Sequence, residues 1–149
     1  MINIFIDTSG SMSEMGKDSG TIYVVKSIQD YCEFNNIKNC LYRFDGEAID
    51  IVHEITFDKN IDIEILHKTI VNGSYIYNIV ITDGSFNNSM KFEKSVAISI
   101  GIDADTYLLE KSFSKLFEAE NIIEAVEYLS FLNNEQTDVV KKEDDDDEW

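Results

Sequence analysis

Apolar residues recur along this chain with two different periods, and the two alternate. Met1 to Ile6 is almost wholly apolar, the pattern of a strand covered on both faces. Ile22, Val25, Ile28 and Cys32 then fall near helical spacing, which predicts a helix from Gly20 to Asn35 with Asn35-Asn36 as its stop. Asn39 to Phe44 alternates and carries aromatics, a second strand. Asp45-Gly46 is a turn dipeptide, and Ala48 to Thr56 alternates again, so a third strand is expected to fold back antiparallel onto the second. Helical spacing returns from Asp58 to Val71, with Asp58 as N-cap and Asn72-Gly73 as the stop. Tyr75 to Thr82 is nearly all apolar and predicts a fourth, central strand. The polar stretch Phe86 to Ser95 has room for a short helix. A fifth strand is expected over Val96 to Ile102, a helix over Asp103 to Ser114, and a sixth, edge strand over Lys115 to Ala119. Asn121 is placed to cap a last helix, Ile122 to Leu132.

Strands alternating with helices predict an α/β fold: a doubly wound, mostly parallel central sheet with helices on both faces and one antiparallel edge strand. The first and fourth strands are the most apolar and belong at the centre. In such sheets the ligand crevice lies at the carboxyl ends of the central strands, where the winding reverses. Asp7 and Asp83 each stand just past one of those ends.

Length and charge refine this picture. The 149 residues suffice for one domain with one sizeable core. The formal charge is −17, from 29 acids against 12 bases. Residues 138–149 carry seven acids and two lysines, and end in an unbroken acidic run, Glu143 to Glu148, before Trp149. Like charge at that density opposes compaction, so residues 1–137 are read as the domain and 138–149 as a disordered acidic tail. The tail is a solvating appendage or an acidic strap for a basic partner groove. An acidic body disfavours nucleic acid and favours cations and basic protein surfaces. No apolar run approaches the ~20 residues that span a bilayer. The amino-terminal stretch reads as a strand rather than a secretory signal, so a cytoplasmic protein with Cys32 and Cys40 reduced and buried is expected.

The candidate chemistry sits in Asp7-Thr8-Ser9-Gly10-Ser11. Alternate side chains of an extended segment point the same way, so one carboxylate and two hydroxyls converge while Gly10 lets the backbone bend. All-oxygen donors suit a hard cation such as Mg2+ or Mn2+. The same residues also make an ordinary turn and helix N-cap.

Asp7-Thr8-Ser9-Gly10-Ser11-Met12 after the first strand, with Ile81-Thr82-Asp83-Gly84 after the fourth, resembles the von Willebrand factor A domain family and its metal-ion-dependent adhesion site. The likeness spans residues 1–132 in element order and takes in the Phe44 to Ala48 turn and the Ile98 to Gly101 strand. It implies one Mg2+ or Mn2+ held by the Ser9 and Ser11 hydroxyls, with Asp7 and Asp83 binding directly or through water. Thr56 is the hydroxyl nearest the place of the family's ligand threonine; Asp58 is a substitute or simply a helix cap. An ion so held keeps an open position that a partner's Asp or Glu fills. The resemblance therefore implies a protein-docking adaptor, beside an AAA+ ATPase as intracellular members often are. Two other readings stay open, an interaction protein with a vestigial metal site and a Mg2+-dependent hydrolase. The hydrolase would need a basic phosphate clamp, for which Lys17 and Lys91 are nearest. No base lies near Ser9 or Ser11 in sequence, and neither His53 nor His67 has zinc-ligand spacing, so a non-enzymatic role is expected.

Overall fold

The computed structural model describes residues 1–50, 52–57, 62–86 and 90–133. Its centre is a five-stranded sheet in the order β2-β1-β3-β4-β5. The strands are β1 (Ile2–Ile6), β2 (Asn39–Arg43), β3 (Tyr77–Thr82), β4 (Phe92–Ser99) and β5 (Phe113–Glu118). Every pairing is parallel. The helices are α1 (Lys17–Phe34), α2 (Ile63–Gly73), α3 (Thr106–Ser112) and α4 (residues 122–133). No helix among the described residues is long and apolar enough to cross a membrane.

The pleat divides each central strand between two cores. Ile2, Ile4 and Ile6 of β1 and Tyr77, Ile79 and Ile81 of β3 face α1 and α4, through Val24, Val25, Ile28, Ala125, Val126 and Leu129. Phe5 and Val80 face the other way, onto Ile63, Leu66 and Ile70 of α2 and Leu109 of α3. Both faces are thus covered, and β1 and β3 are buried at every residue. This is the doubly wound, Rossmann-like arrangement, with the first and fourth predicted strands inside the sheet.

The antiparallel edge strand is not seen among the described residues. Ala48 makes a single antiparallel bridge to Tyr42, and Val52–Glu54 is a 3-10 turn. Ile49, Val52 and Ile55 all pack on the α1-side core. Their spacing of three is a turn's period, which outweighed the alternation read from the sequence. The strand expected over Val96 to Ile102 begins at Phe92, so residues 92–95 are sheet and not helix. Residues 87–89 lie outside the described residues, as do Asp58 and the tail.

The helix ends follow local chemistry. Asn36 takes a positive φ of 56°, and Ile37 and Asn36 donate back to the Cys32 and Glu33 carbonyls, so the asparagine stop holds. With Gly16 as N-cap at φ 76°, α1 starts at Lys17, three residues before the expected Gly20. Asp62 caps α2 by accepting from the Glu64 and Ile65 amides. That helix ends at Gly73, where a Cβ would strike the Tyr75 ring; the left-handed residue is Ser74. Cys32 is buried, and its thiol is pushed up to about 11 by that burial; Cys40 is only partly buried, at the sheet's edge.

Candidate functional site

Parallel register places Asn3 beside Asn78 and Phe5 beside Val80 on the α2–α3 face of the sheet. One rung further, the Asp7 amide donates to the Ile81 carbonyl at 2.9 Å and brings Asp7 beside Thr82. The Thr82 hydroxyl donates to Asp7 Oδ2 at 2.7 Å and accepts from the Gly84 amide at 3.1 Å. The winding reverses here, since β1 leads outward to β2 and β3 leads the opposite way to β4. Asp7 and Asp83 therefore both stand at the switch point, close enough for the Asp83 charge to act on Asp7.

The segment after β1 curls tightly. Asp7 Oδ1 accepts from the Ser9 amide at 3.0 Å, and Gly10–Ser13 forms a 3-10 turn. The Ser9 and Ser11 hydroxyl oxygens come to lie 3.2 Å apart on a partly exposed rim. Gly10 is not what permits this, for a Cβ there would meet nothing within 4 Å. Asp83 Oδ1 accepts from the Ser85 amide at 3.1 Å. Beside it opens a cleft of ≈ 310 Å³ lined by Asp83, Gly84, Ser85, Phe86, Asp103 and Asp105.

Lys17 completes the cluster. It is the first residue of α1 and is only 3 % exposed. Its ammonium donates to Asp83 Oδ2 at 3.1 Å and to the Asp103 carboxylate at 2.9 Å. Room for its stem comes from Gly101, at φ 90°, where a Cβ would sit 2.7 Å from Lys17 Cε. Neither Lys17 nor Asp103 announces this role in sequence, because the three residues lie far apart along the chain. Thr82 was legible only as the neighbour of Asp83.

The charges respond to this packing. Burial raises the Asp7 carboxyl above its ordinary value; hydrogen bonds from Ser9 and Thr82 oppose the rise, and the nearby Asp83 charge adds to it. Burial alone would lower the Lys17 ammonium, but its hydrogen bonds to Asp103 and Asp83 prevail and hold it above the usual lysine value. The hydrogen bond from Lys17 draws the exposed Asp103 carboxyl below its usual range.

Thr56 is exposed on the segment after the Val52–Glu54 turn, and no hydrogen bond among the described residues ties it to the cluster. Without it, Asp7 bonds Ser9 and Thr82 and feels the Asp83 charge, and Ser9 meets Ser11. Lys91 is elsewhere, its ammonium on the Lys111 carbonyl at 2.8 Å, and His67 stands edge-on to Phe92.

Neither a family model nor a curated protein sequence matches this chain.

The donors suit a small hard cation in kind. Adjacent corners of a Mg2+ octahedron with 2.0–2.1 Å bonds lie about 2.9 Å apart, close to the serine separation. Each carboxylate keeps lone pairs beyond its present hydrogen bonds. No group of three or more His, Cys, Asp or Glu side chains stands ready for a metal among the described residues. The ion that the resemblance implies would have to draw on Ser9, Ser11, Asp7 and Asp83, and Asp83 already holds the Lys17 ammonium.

Proposed function

We propose that this chain is a von Willebrand factor A-like module that takes Mg2+ or Mn2+ between Asp7, Ser9, Ser11 and Asp83, and through it docks a carboxylate of a partner protein. What supports this reading is that Asp7 and Asp83, distant in sequence, stand at the sheet's switch point within electrostatic reach of each other, with Asp7 bonded to Ser9 and Ser9 to Ser11. An ion there supplies positive charge with an open position, which a partner Asp or Glu fills as a charge-assisted contact. Docking rather than turnover fits the surroundings. Ser9 has Ser11 and the Asp7 carboxyl as side-chain partners, with no histidine bonded to it among the described residues, and Lys17 is occupied by two carboxylates. The rim carries exposed apolar groups of the kind that bind protein. Met15 is 70 % exposed next to Gly16 and Lys17, and Ile102 is 95 % exposed next to Asp103. A groove of ≈ 610 Å³ runs from Met15 past Tyr23 to Ile123.

The partner class extends this reading, with a cytoplasmic adaptor working beside an AAA+ ATPase as its fullest form. Calorimetric titration of Mg2+ and Mn2+ into the wild type and Asp7→Ala tests the ion, and capture of partners with and without chelator tests the docking. Absence of heat in the wild type, or capture indifferent to chelator, would defeat the reading. One observation favours the alternative, an interaction module whose metal site is vestigial: the Lys17 ammonium already neutralises Asp83.

A further inference from the structure

Lys17 is placed as if the crevice had been built round it. The side chain enters from the first turn of α1, where Gly16 turns the backbone through a positive φ and the Thr21 hydroxyl holds the Lys17 carbonyl at 2.7 Å. Gly101 leaves out the Cβ that its stem would strike. Its ammonium bridges two unlike carboxylates. Asp83 is 3 % exposed and belongs to the cation crevice, whereas the Asp103 side chain is 48 % exposed and stands outside the Asp7–Ser9–Ser11–Asp83 set.

From this arrangement we infer that Lys17 is a tethered cation that competes with the divalent ion for Asp83, with Asp103 as the site to which its ammonium retreats when the ion binds. The inference rests on the cation reading above. Its physical basis is simple. An ammonium on Asp83 Oδ2 neutralises the charge an incoming ion would use, and two cations on one buried carboxylate repel each other strongly where little water screens them. The Lys17 side chain has rotatable bonds enough to leave Asp83 while keeping its hydrogen bond to Asp103. Without the ion, Lys17 keeps the buried carboxylate paired, so the crevice stays formed. When the ion arrives, the ammonium gives up Asp83 and remains on the rim with Asp103, next to the exposed Ile102. Ion occupancy thus changes the charge pattern of the face that meets a partner.

Mn2+ alone is the probe, titrated calorimetrically into the wild type, Lys17→Met, Asp103→Asn and the double variant at fixed ionic strength, with thermal melts in parallel. Lys17→Met is expected to bind Mn2+ at least tenfold more tightly than the wild type, to melt lower without the ion, and to recover more on adding it. Asp103→Asn is expected to weaken binding several-fold in the wild-type background. In the Lys17→Met background it should change affinity less than twofold, since Asp103 acts through Lys17. Should Lys17→Met fail to fold, the double variant carries the comparison, having lost one charge of each sign. Equal or weaker Mn2+ binding by Lys17→Met, with the wild type still binding, overturns the inference and leaves the cation reading standing. Binding by Lys17→Met but not by the wild type supports the inference and speaks against ion-dependent docking by the native chain. No binding by any of the four removes both.

Discussion

Two buried threonines, Thr8 and Thr82, offer a sharp test of the polar cluster, because neither is exposed and their hydroxyls have opposite fates. Thr82 Oγ1 serves Asp7 Oδ2 at 2.7 Å and the Gly84 amide at 3.1 Å. Thr8 Oγ1 is buried with no hydrogen-bond partner. Thr82→Val keeps the shape and strips a donor from a carboxylate that is only 2 % exposed, and an acceptor from a buried amide. A buried group left unsatisfied costs about 1–3 kcal/mol, more when charged, so the sum is about 3–5 kcal/mol. Thr8→Val removes a desolvated hydroxyl that gains nothing, and should be neutral or stabilising by about 1 kcal/mol. In urea, with a slope of about 2 kcal/mol/M, the Thr82→Val midpoint falls by about 2 M and that of Thr8→Val does not. The pH dependence has a definite sign. Burial raises the folded Asp7 carboxyl, and the Thr82 hydroxyl is one of the groups opposing it, so the variant raises it further. The Thr82→Val penalty is therefore full where Asp7 is ionised and shrinks as pH falls through the raised folded value. Equal midpoints for the two variants, or a penalty that has not shrunk between pH 7.5 and a pH below the ordinary value of 3.8, would refute the account of the cluster.

The other expectations follow from the same contacts. Because the ionised Asp7 costs stability that is absent below its unfolded value and full above its folded one, Asp7→Asn should melt no lower than the ion-free wild type at pH 7.5, yet lose any Mn2+-induced rise; a marked drop in the ion-free melt would contradict this. The Asp103 carboxyl is depressed by Lys17, so its contribution is present above the unfolded value of 3.8 and lost as pH falls through the lower folded one; Asp103→Asn should flatten the acid limb of a stability profile below pH 4. Asn3, Asn78 and Ser95 form a buried polar row across β1, β3 and β4, with Asn3 donating to Asn78 at 3.2 Å and Asn78 to Ser95 at 3.1 Å. Asn78→Ala should lower stability by about 1–3 kcal/mol in urea unfolding, and a wild-type midpoint would show that the row contributes nothing.

The row also shows why the sheet keeps its register. A slip of one residue would turn Asn3 and Asn78 into the α1–α4 core and Ile4 and Ile79 away from it. The same pleat that hides Phe5 and Val80 carries Asp7 and Thr82 to the crevice, so fold and site share one alternation. The sequence reading erred where that alternation was short and one-sided. Residues 48–56 alternate on paper, but with one bridge to β2 among the described residues they had little ladder to gain, and burial of Ile49, Val52 and Ile55 against the α1 side prevailed.

By itself the sequence determined the winding and the place of the crevice. Short apolar runs alternating with helical periods point to interior strands, and in such a sheet the acidic residues just beyond them stand at its carboxyl edge, because period and solvation act locally. The partners of those acids were decided in three dimensions. Lys17, Asp83 and Asp103 lie on an N-terminal helix turn, a strand end and a loop, separated by 66 and 86 residues from the lysine. An ion pair across such distances leaves no periodic trace, since it depends on where packed helices and strands bring their ends, and on a glycine at position 101 whose missing side chain makes the space.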